Sequence, residues 1–583
     1  MKVSRPVLAA LAVLVGVALV ALTLVAVSPD RPAPGAPAPA APATTPMTPT
    51  TPTTPTAPPL PAREARVERP NIVVVMADDM RADDLQFAPA VRRLVGRTGV
   101  TFANSFSPYP LCCPARASFL TGTYAHNHRV YWHEPPSGYG AFDDSRTLAT
   151  SLRARGYRTG FIGKYLNRYG LDRSRVSGRP SHTYVPRGWD EWRAAVENPG
   201  GLGFSGGTYH YLDTPFNVDG RIDDGYRGRY QTDVIGDFSV GMARRLAARR
   251  APFLMYVNYV APHVGEPVEA DDTRDVRNDD GDLVDLRSPA RPAWVRGRFD
   301  ALIPRGRGLP RGGGPAERDV RDKPSPFADL PEVNAAERRG LRDLTRQRAE
   351  SIYVMDRQVA RLVRELRRSG AWSDTVLVFT SDNGYFLGEH RQRSGKVRAH
   401  EPSLRVPLLV TGPGLRRGAT SSDPVTTVDL TATLLDLAGA RPPRRLDGRS
   451  VADALRDGDQ GWLRPVLTEA THTGGVGRRS PGFAGPRTSI GVRTGRYSYV
   501  RNRAGTHELY DLWRDPLQLR NVYGERSYRA DQRLLQEVWW RLRNCQGAGC
   551  RVRLPESLQL DAASLGRRTR AYWRAVDRTY GYR

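Results

Sequence analysis

Lysine is almost missing from this chain of 583 residues, although the chain is strongly basic. Only four of its 87 lysine and arginine residues are lysines, namely Lys2, Lys164, Lys323 and Lys396. A protein that uses arginine for its ordinary surface charge has a specific reason to keep a lysine. Lys2 fits the basic start of an export signal, so Lys164 and Lys396 are better explained as functional residues than as surface lysines.

Motifs for nucleic-acid recognition are also missing, despite a formal net charge of +26. The arginines are scattered along the chain and do not gather in one stripe. General arginine enrichment is therefore favoured over a polyanion-binding surface, which stays open as the alternative. We predict no nucleic-acid partner.

The N-terminus combines Lys2 and Arg5 with an apolar run over residues 6–27. The run fits either a signal peptide or one membrane-spanning helix, so cleavage within residues 1–28 is left open. Both interpretations predict that the chain is exported. It would then be either secreted or held at the cell surface through this segment. Residues 29–69, which are rich in Pro, Ala and Thr, are predicted to form an extended, semi-rigid linker.

The remaining chain alternates apolar runs with amphipathic segments. Residues 71–76 and 375–380 have the continuous apolar character of strands buried on both faces. Between them, apolar residues at steps of three and four over 352–366 indicate a helix. Residues 161–164 and 253–260 are further predicted strands. This order predicts an α/β fold, in which functional groups collect at the carboxyl ends of strands.

Residues 264–345 lack this pattern and are dominated by Asp, Arg, Pro and Gly. A calcium loop is excluded there, because placing Gly281 at the sixth loop position puts Val276 at the first, where an acidic ligand is required. We predict a solvated, polar insertion at the rim of the active site. Asp83 and Asp84 are likewise expected at the surface.

Beyond about residue 455 the pattern changes again. A hairpin is predicted around Thr494-Gly495, followed by a strand at 507–512. Cys545 and Cys550 are expected to form a small local disulfide in an exported protein, in preference to a metal clip.

The other two cysteines stand side by side in Leu111–Gly122, which reads Leu-Cys-Cys-Pro-Ala-Arg-Ala-Ser-Phe-Leu-Thr-Gly. Pro114 favours the first turn of a helix, so Cys112 is predicted at a helix N-terminus, where free N–H groups and the dipole favour an anion. Arg116 adds a guanidinium suited to a tetraoxo anion. These residues indicate a nucleophile beside an oxyanion pocket. The alternative is a buried cysteine pair that packs as small apolar side chains.

Oxygen-bearing side chains follow two of the predicted strands. Asp78 and Asp79 follow the first strand, and Asp382 and Asn383 follow the strand at 375–380. Such ligands select a hard divalent cation, Ca²⁺ or else Mg²⁺, over zinc. Either pair by itself is also consistent with an ordinary cap or turn.

The string Cys-Cys-Pro-Ala-Arg-Ala-Ser-x-Leu-Thr-Gly resembles the signature of the type I sulfatases. In that family a formylglycine-generating enzyme oxidises the first cysteine of the signature to formylglycine, whose hydrate is the nucleophile. The resemblance assigns this role to Cys112 and not to Cys113. It also implies an alkaline-phosphatase-like sandwich, with a large mixed central β-sheet flanked by helices in residues 70–455. A smaller C-terminal α+β domain with an antiparallel sheet is implied for residues 456–583.

The resemblance implies roles for the other site residues. The metal-ligand positions of the family are matched by Asp78, Asp79, Cys112, Asp382 and Asn383. Lys164 and Lys396 match lysines that contact the sulfate and the hydrate, and His263 matches the general acid near the ester oxygen. Many sulfatases carry a histidine two residues after the first lysine, where this chain has Leu166. The base of the second step is therefore unassigned, and His128 is our candidate for it.

Ala-His-Asn-His at 125–128 and Gly-Lys-Tyr-Leu-Asn at 163–167 look most like the N-acetylglucosamine-6-sulfatases. This implies hydrolysis of sulfate esters on a sulfated amino sugar or glycosaminoglycan, or on an aryl sulfate. Two alternatives remain: a phosphonate or phosphate monoester hydrolase of the same superfamily, and a catalytically silent glycan-binding protein of the cell surface.

Overall fold

The computed structural model describes residues 69–471 and 487–582, which all belong to one compact unit. The predicted export segment at 1–28 and the linker up to residue 68 lie outside the described residues. Across the ranges that are described, every helix is too short or too polar to cross a bilayer.

Two β-sheets organise the described chain, one with ten strands and one with four. The ten-stranded sheet contains β1 (Asn71–Ala77), β2 (Val100–Phe106), β3 (Arg158–Lys164), β4 (Glu191–Ala195), β5 (Phe216–Val218), β6 (Arg221–Asp223), β7 (Phe253–Asn258), β8 (Thr375–Ser381), β9 (Leu408–Thr411) and β10 (Ala419–Thr426). The four-stranded sheet contains β11 (Val466–Ala470), β12 (Ser489–Arg493), β13 (Tyr497–Asn502) and β14 (His507–Asp511). The α-helices of the described ranges are α1 (Pro89–Val91), α2 (Cys112–Thr121), α3 (Ala125–His128), α4 (Leu148–Ala154), α5 (Gln231–Ala247), α6 (Ala335–Arg368), α7 (Glu401–Leu404), α8 (Thr427–Leu437), α9 (Ala452–Arg456), α10 (Arg529–Leu542) and α11 (Ala562–Tyr580).

The large sheet is mixed, with the order β10-β2-β9-β8-β1-β7-β3-β4-β5-β6. Its centre is parallel: β1 pairs with β7 and β8, and β3 pairs with β7, all in the same direction. The four central strands β8, β1, β7 and β3 therefore end at one edge of the sheet. The predicted α/β fold with a large mixed sheet and a second antiparallel sheet is confirmed.

The central strands β1, β7 and β8 are mainly apolar because helices cover both faces of the sheet. Along β1, Ile72 and Val74 enter one hydrophobic core, which also contains residues of α2, α4 and α8. Val73 and Val75 enter the opposite core, with residues of α5 and α6. Side chains alternate between the faces of a strand, so a strand covered on both sides reads as an unbroken apolar run.

The antiparallel sheet has its own core, in which Val492 and Leu509 pack with Leu535 and Val538 of α10. The predicted hairpin is the β12–β13 pair, and the predicted strand at 507–512 is β14. The disulfide between Cys545 and Cys550 is present, as expected.

The segment predicted as a polar insertion is irregular up to residue 334 and then enters α6 at Ala335. Asn334 caps this helix by accepting a bond from the Glu337 N–H. The segment is not simply solvated: Leu286 and Leu309 pack with Leu341 in a small core of their own.

Candidate active site

Four buried polar side chains lie at the carboxyl ends of the four central parallel strands. Asp78 follows β1, Lys164 ends β3, Asn258 ends β7 and Asp382 follows β8. Each of the four is buried, with at most 1% of its surface exposed. The sheet thus brings together groups that are up to about three hundred residues apart in the sequence.

Cys112 is the first residue of α2, and Leu111 is the N-cap, as the proline signal predicted. Its sulfur lies 3.2 Å from Asp78 Oδ1, 3.8 Å from Asp79 Oδ1 and 2.8 Å from Lys396 Nζ. Cys113 lies instead in the hydrophobic core, and burial raises the pKa of its thiol to about 12. The two cysteines therefore occupy chemically different surroundings.

Arg116 is buried beneath this cluster. Its Nε donates to Asp382 Oδ2 at 2.8 Å, and its Nη1 donates to Asn258 Oδ1 at 2.9 Å and to the Lys164 carbonyl at 3.0 Å. Its Nη2 is buried without a hydrogen-bond partner among the described residues. A fixed guanidinium with one unused donor is suited to an oxyanion.

Both lysines singled out by the sequence form ion pairs in the cluster. Lys164 pairs with Asp78, and Lys396 pairs with Asp79. Val397, which follows Lys396, has a φ of 72°, a conformation that β-branched residues avoid at a cost of about 1–3 kcal/mol. Its N–H donates to the Pro110 carbonyl at 3.0 Å, which ties the lysine loop to the entrance of α2.

Burial and neighbouring charges together shift the pKa values of the groups in this cluster. Burial would raise the pKa of Asp78, but Lys164, His263 and other cations hold it well below its usual range. Burial raises the pKa of Asp382 to about 6, with the Asp78 carboxylate adding to the effect. Burial and Asp78 also raise the pKa of Cys112 well above its usual range, which favours the thiol over the thiolate.

The oxygen-rich side of the cluster fits a divalent cation. One ligand atom each from Asp78, Asp79, Cys112 and Asp382 falls within a mutual distance of 4.8 Å. Asn383 Oδ1 is buried and lacks a hydrogen-bond partner among the described residues. A buried, unpaired amide oxygen beside carboxylates is what a hard cation would satisfy.

His263 lies at the rim of the cluster, with Nε2 3.7 Å from Asp79 Oδ2. Its Nδ1 lies 2.6 Å from the Val264 carbonyl, which can only accept, so Nδ1 carries a hydrogen. Nε2 is therefore the atom that gains or loses a proton toward the cluster. Burial lowers the pKa of His263 to about 4, against the opposing effect of the two aspartates. The Tyr209 ring packs against the imidazole at 4.7 Å and lies 5.0 Å from Lys164 Nζ.

His128 is not brought into this cluster by its contacts. Its Nε2 bonds to Ser118 Oγ at 2.9 Å, and its Nδ1 accepts from the Val130 N–H at 3.1 Å. Burial lowers its pKa to about 3. Both ring nitrogens are engaged away from Cys112, so the structure offers no support for the predicted role of His128.

His133 is a residue that the sequence reasoning missed. Its Nε2 is buried and unpartnered among the described residues. Trp132, whose ring stacks on the imidazole at 5.8 Å, packs against a small apolar cluster that contains Leu111, the residue before Cys112. Val397, which follows Lys396, packs against the same cluster. Burial lowers the pKa of His133 well below its usual range, and the next largest effect is the charge of Lys396. No motif or periodicity marks this position.

A cleft of about 1620 Å³ opens over His263 and Lys396. Residues 264–288 of the insertion form much of the wall of this cleft. The prediction that Asp83 and Asp84 lie at the surface is wrong. Asp84 is 2% exposed and accepts from the Arg81 N–H at 3.1 Å, and Asp83 is bound by Arg81 and by Arg307 at 2.7 Å.

Comparison with known proteins finds several that are similar to this chain over most of its length or part of it. N-acetylglucosamine-6-sulfatase from Capra hircus is 28% identical over 528 residues, covering 83% of this chain and 85% of that protein. An extracellular sulfatase SULF-1 homolog from Drosophila melanogaster is 30% identical over 401 residues, which cover 67% of this chain. The match spans about a third, 32%, of that relative's length.

Solved structures share the fold. A complex with D-glucosamine-2-N,6-O-disulfate, described as the substrate of that protein, has a TM-score of 0.58 and 22% identity, covering 81% of this chain and 97% of the other. Phosphonate monoester hydrolase from Silicibacter pomeroyi has a TM-score of 0.57 and 21% identity, covering 85% and 99%.

The model of the sulfatase family matches residues 70–440. A second model, the C-terminal region of N-sulphoglucosamine sulphohydrolase, matches residues 388–545. The first match covers well over half of the chain and contains every residue of the cluster around Cys112. The chain therefore belongs to the sulfatase family.

Proposed function

We propose that this sulfuric ester hydrolase removes sulfate from a sulfated amino sugar of the glycosaminoglycan type, with Cys112 as the converted nucleophile. The observation that carries the proposal is the position of the Cys112 sulfur, between the Asp78 carboxylate and the Lys396 ammonium. An anionic, tetrahedral group bound there would meet fixed cations on several sides. Such preorganised charge is the largest single contribution in many enzymes.

Two groups would be added to the residues of the chain. A formylglycine hydrate at Cys112 would supply a nucleophilic hydroxyl, and a hard cation, Ca²⁺ or Mg²⁺, held by Asp78, Asp79, Asp382 and Asn383 would stabilise charge on sulfate oxygens. Arg116, Lys164 and Lys396 would orient the sulfate and neutralise its charge, Arg116 through the unused Nη2 donor. Their burial excludes water and strengthens each of these interactions.

Proton transfer is assigned to two histidines. His263 would deliver a proton from Nε2 to the departing alcohol oxygen in its imidazolium form, because the Val264 carbonyl already engages the hydrogen on Nδ1. The negative charge of a bound sulfate would favour this charged form against the burial that lowers the pKa of His263. We assign the base of the second step to His133. Its Nε2 has no partner among the described residues, and the lowered pKa keeps this imidazole in the neutral form that a general base needs.

The substrate class rests on the relatives and on the cleft. N-acetylglucosamine-6-sulfatase matches most of both chains, and a structure of similar fold is described with a sulfated glucosamine as substrate. The cleft above Lys396, about 1620 Å³, is large enough for a saccharide. The extracellular relative supports export of this chain as well.

The test is expression of the wild type, Cys112→Ala and Cys113→Ala in a host that contains a formylglycine-generating enzyme. Mass spectrometry of the peptide spanning Leu111–Gly122 should find an aldehyde at Cys112 in the wild type. Cys112→Ala should lose at least about a thousandfold of kcat/KM on glucosamine-6-sulfate. Cys113→Ala should keep its turnover, because this side chain lies in the hydrophobic core. Full activity of Cys112→Ala would overturn the proposal.

The same fold in a phosphonate monoester hydrolase makes this activity the second candidate. Both activities are compatible with the same nucleophile and cation. Measurement of kcat/KM on matched sulfate and phosphonate esters decides between them, and preference for the phosphonate would contradict the sulfatase assignment. A persistent thiol at Cys112 together with saccharide binding would favour the silent glycan-binding protein.

A further inference from the structure

A second groove, of about 520 Å³, runs along the C-terminal half of helix α6. It shares no lining residue with the cleft above His263 and Lys396. Arg348, near the middle of α6, donates to the Asp79 carbonyl at 2.6 Å, which marks the part of the helix that contacts the cluster around Cys112. Arg364, in the groove, lies about 24 Å farther along the helix at 1.5 Å per residue. The groove is therefore a separate feature of the surface.

Four arginines line this groove. Arg357, Arg361 and Arg364 are spaced by four and three residues, which places them on one face of α6, and Arg93 adds a fourth guanidinium to the lining. Arg93, Arg357 and Arg364 are exposed, and within residues 69–471 and 487–582 no hydrogen bond or ion pair engages their guanidinium groups. Only Arg361 is paired, with Asp237 at 2.6 Å.

The two carboxylates in the groove are already engaged. Both oxygens of Asp356 accept backbone N–H groups, from Ala90 at 2.9 Å and from Val91 at 2.7 Å. Asp233 accepts from the Gln358 side chain. These acids stabilise the local structure, and the exposed arginines remain available for an external anion.

An exposed aromatic ring completes the groove. Trp294 is 54% exposed, although most aromatic side chains of the described residues are buried. The Arg357 guanidinium lies 4.9 Å from its ring centre, and Tyr353 meets it edge-on at 6.3 Å. A flat indole beside several cations can pack against the C–H face of a pyranose while the guanidinium groups bind its sulfates.

We propose that this groove is a docking site for a sulfated polysaccharide, distinct from the catalytic cleft. The general arginine enrichment of the chain does not by itself account for it, because the feature combines unpaired arginines on one helix face with an exposed tryptophan. The groove would retain the enzyme on a polymer while a different part of that polymer, or another chain, enters the cleft. This function does not depend on turnover at Cys112.

The test measures binding of dextran sulfate by calorimetry at about 0.15 M salt, where distant exposed charges are largely screened. The key variant is Arg357→Gln/Arg364→Gln, and the control is Arg249→Gln/Arg250→Gln, which removes two other exposed arginines outside the groove. Trp294→Ala removes the ring and Trp294→Phe keeps an aromatic one. Unsulfated dextran, polyphosphate and single-stranded DNA are the comparison ligands, and turnover of a small aryl sulfate is followed in parallel.

We expect Arg357→Gln/Arg364→Gln to weaken dextran sulfate binding by about tenfold or more, with less than about twofold loss in the control pair. Trp294→Ala should weaken binding and Trp294→Phe should restore most of it, while turnover of the small substrate stays unchanged in all variants. Equal losses of binding in both arginine double variants would show that net charge alone causes the effect, and would overturn the proposal. Unchanged binding of dextran sulfate by Trp294→Ala would overturn the assignment to a sulfated sugar. Binding of polyphosphate or DNA as tightly as dextran sulfate would overturn it as well.

Discussion

Lys396 Nζ lies 2.8 Å from the Cys112 sulfur and also pairs with Asp79, so one ammonium bridges the nucleophile position and the carboxylate side of the cluster. Lys396 is only 9% exposed at its side chain. A mobile surface lysine would not be held in this way. The contact explains why a chain that otherwise uses arginine keeps a lysine here, since a compact ammonium fits where a planar guanidinium does not.

Replacement of Lys396 should therefore impair turnover. We expect Lys396→Met to lower kcat by about a hundredfold to a thousandfold, in the range seen when one preorganised charge donor is lost. Lys396→Arg should not restore activity, because its fork is too large for the contact. Steady-state kinetics on an aryl sulfate measure both variants.

Lys323 provides the contrasting control. It is also buried and paired, but with Glu317, away from Cys112. Lys323→Met should lower thermal stability and leave the activity of the folded fraction unchanged. A loss of kcat in Lys323→Met equal to that in Lys396→Met would contradict the specific role of Lys396.

Cation binding is tested by stability as well as by activity. Asp79 and the unpaired Asn383 Oδ1 belong to the proposed ligand set. After treatment with a chelator, addition of Ca²⁺ or Mg²⁺ should raise the melting temperature, with about 2.7 kcal/mol of stabilisation at a hundredfold excess over Kd. Asn383→Ala should reduce this response strongly.

The matched control is Glu556→Gln, which removes an exposed carboxylate far from the cluster in sequence. It should retain the full response to the cation. A larger stabilisation by Zn²⁺ than by Ca²⁺ and Mg²⁺ would contradict the assignment of an oxygen-ligand site.

The parts of the site that the sequence predicted are those that local rules determine. Asp78 and Asp382 follow apolar runs, and parallel strands buried on both faces must end at a common edge. Cys112 precedes a proline that starts a helix, which fixes its position at the N-terminus of α2. These inferences need no knowledge of how distant segments pack.

The parts that were missed depend on packing between distant segments. His133 lies in an irregular stretch, and its surroundings follow from the packing of its neighbour Trp132 against the apolar cluster that contains Leu111. The scarcity of lysine does not by itself identify a functional lysine, because Lys323 forms a buried ion pair with Glu317 away from the cluster. The separation of Asp84 from solvent likewise involves Arg348, which pairs with it from a position 264 residues later in the sequence.

Replacement of His133 tests the assignment of the second-step base. We expect His133→Gln to lower kcat by about a hundredfold to ten-thousandfold, the usual contribution of general base catalysis. The first half of the reaction should survive, so rapid mixing should show a burst of alcohol product equal to the enzyme concentration, followed by slow turnover. A merely structural role would not produce this split.

The comparison for His133 is His128→Gln. Because its nitrogens bond to Ser118 and Val130, this variant should lose stability and keep kcat in the folded fraction. If His128→Gln shows the burst and His133→Gln does not, the roles are reversed and the original sequence prediction is correct.

His126 should make the stability of the fold sensitive to alkaline pH. Its Nδ1 lies 2.8 Å from Glu469 Oε1 and its Nε2 lies 2.7 Å from the Cys545 carbonyl, so both nitrogens face acceptors and the charged imidazolium fits best. Burial alone would lower its pKa, but the Glu469 carboxylate raises it above its usual range. Arg487, which also binds Glu469 at 3.0 Å, opposes this increase only in part.

A histidine whose pKa is raised on folding stabilises the native state fully below its unfolded pKa, about 6.5. This stabilisation is lost as the pH rises through the folded pKa of His126. The free energy of unfolding of the wild type should therefore fall as the pH rises above about 6.5 in denaturant titrations, and His126→Gln should lack this component. His182→Gln, which changes a histidine without such a pair, should keep the wild-type profile. Parallel pH profiles for the wild type and His126→Gln would show that the imidazolium does not contribute.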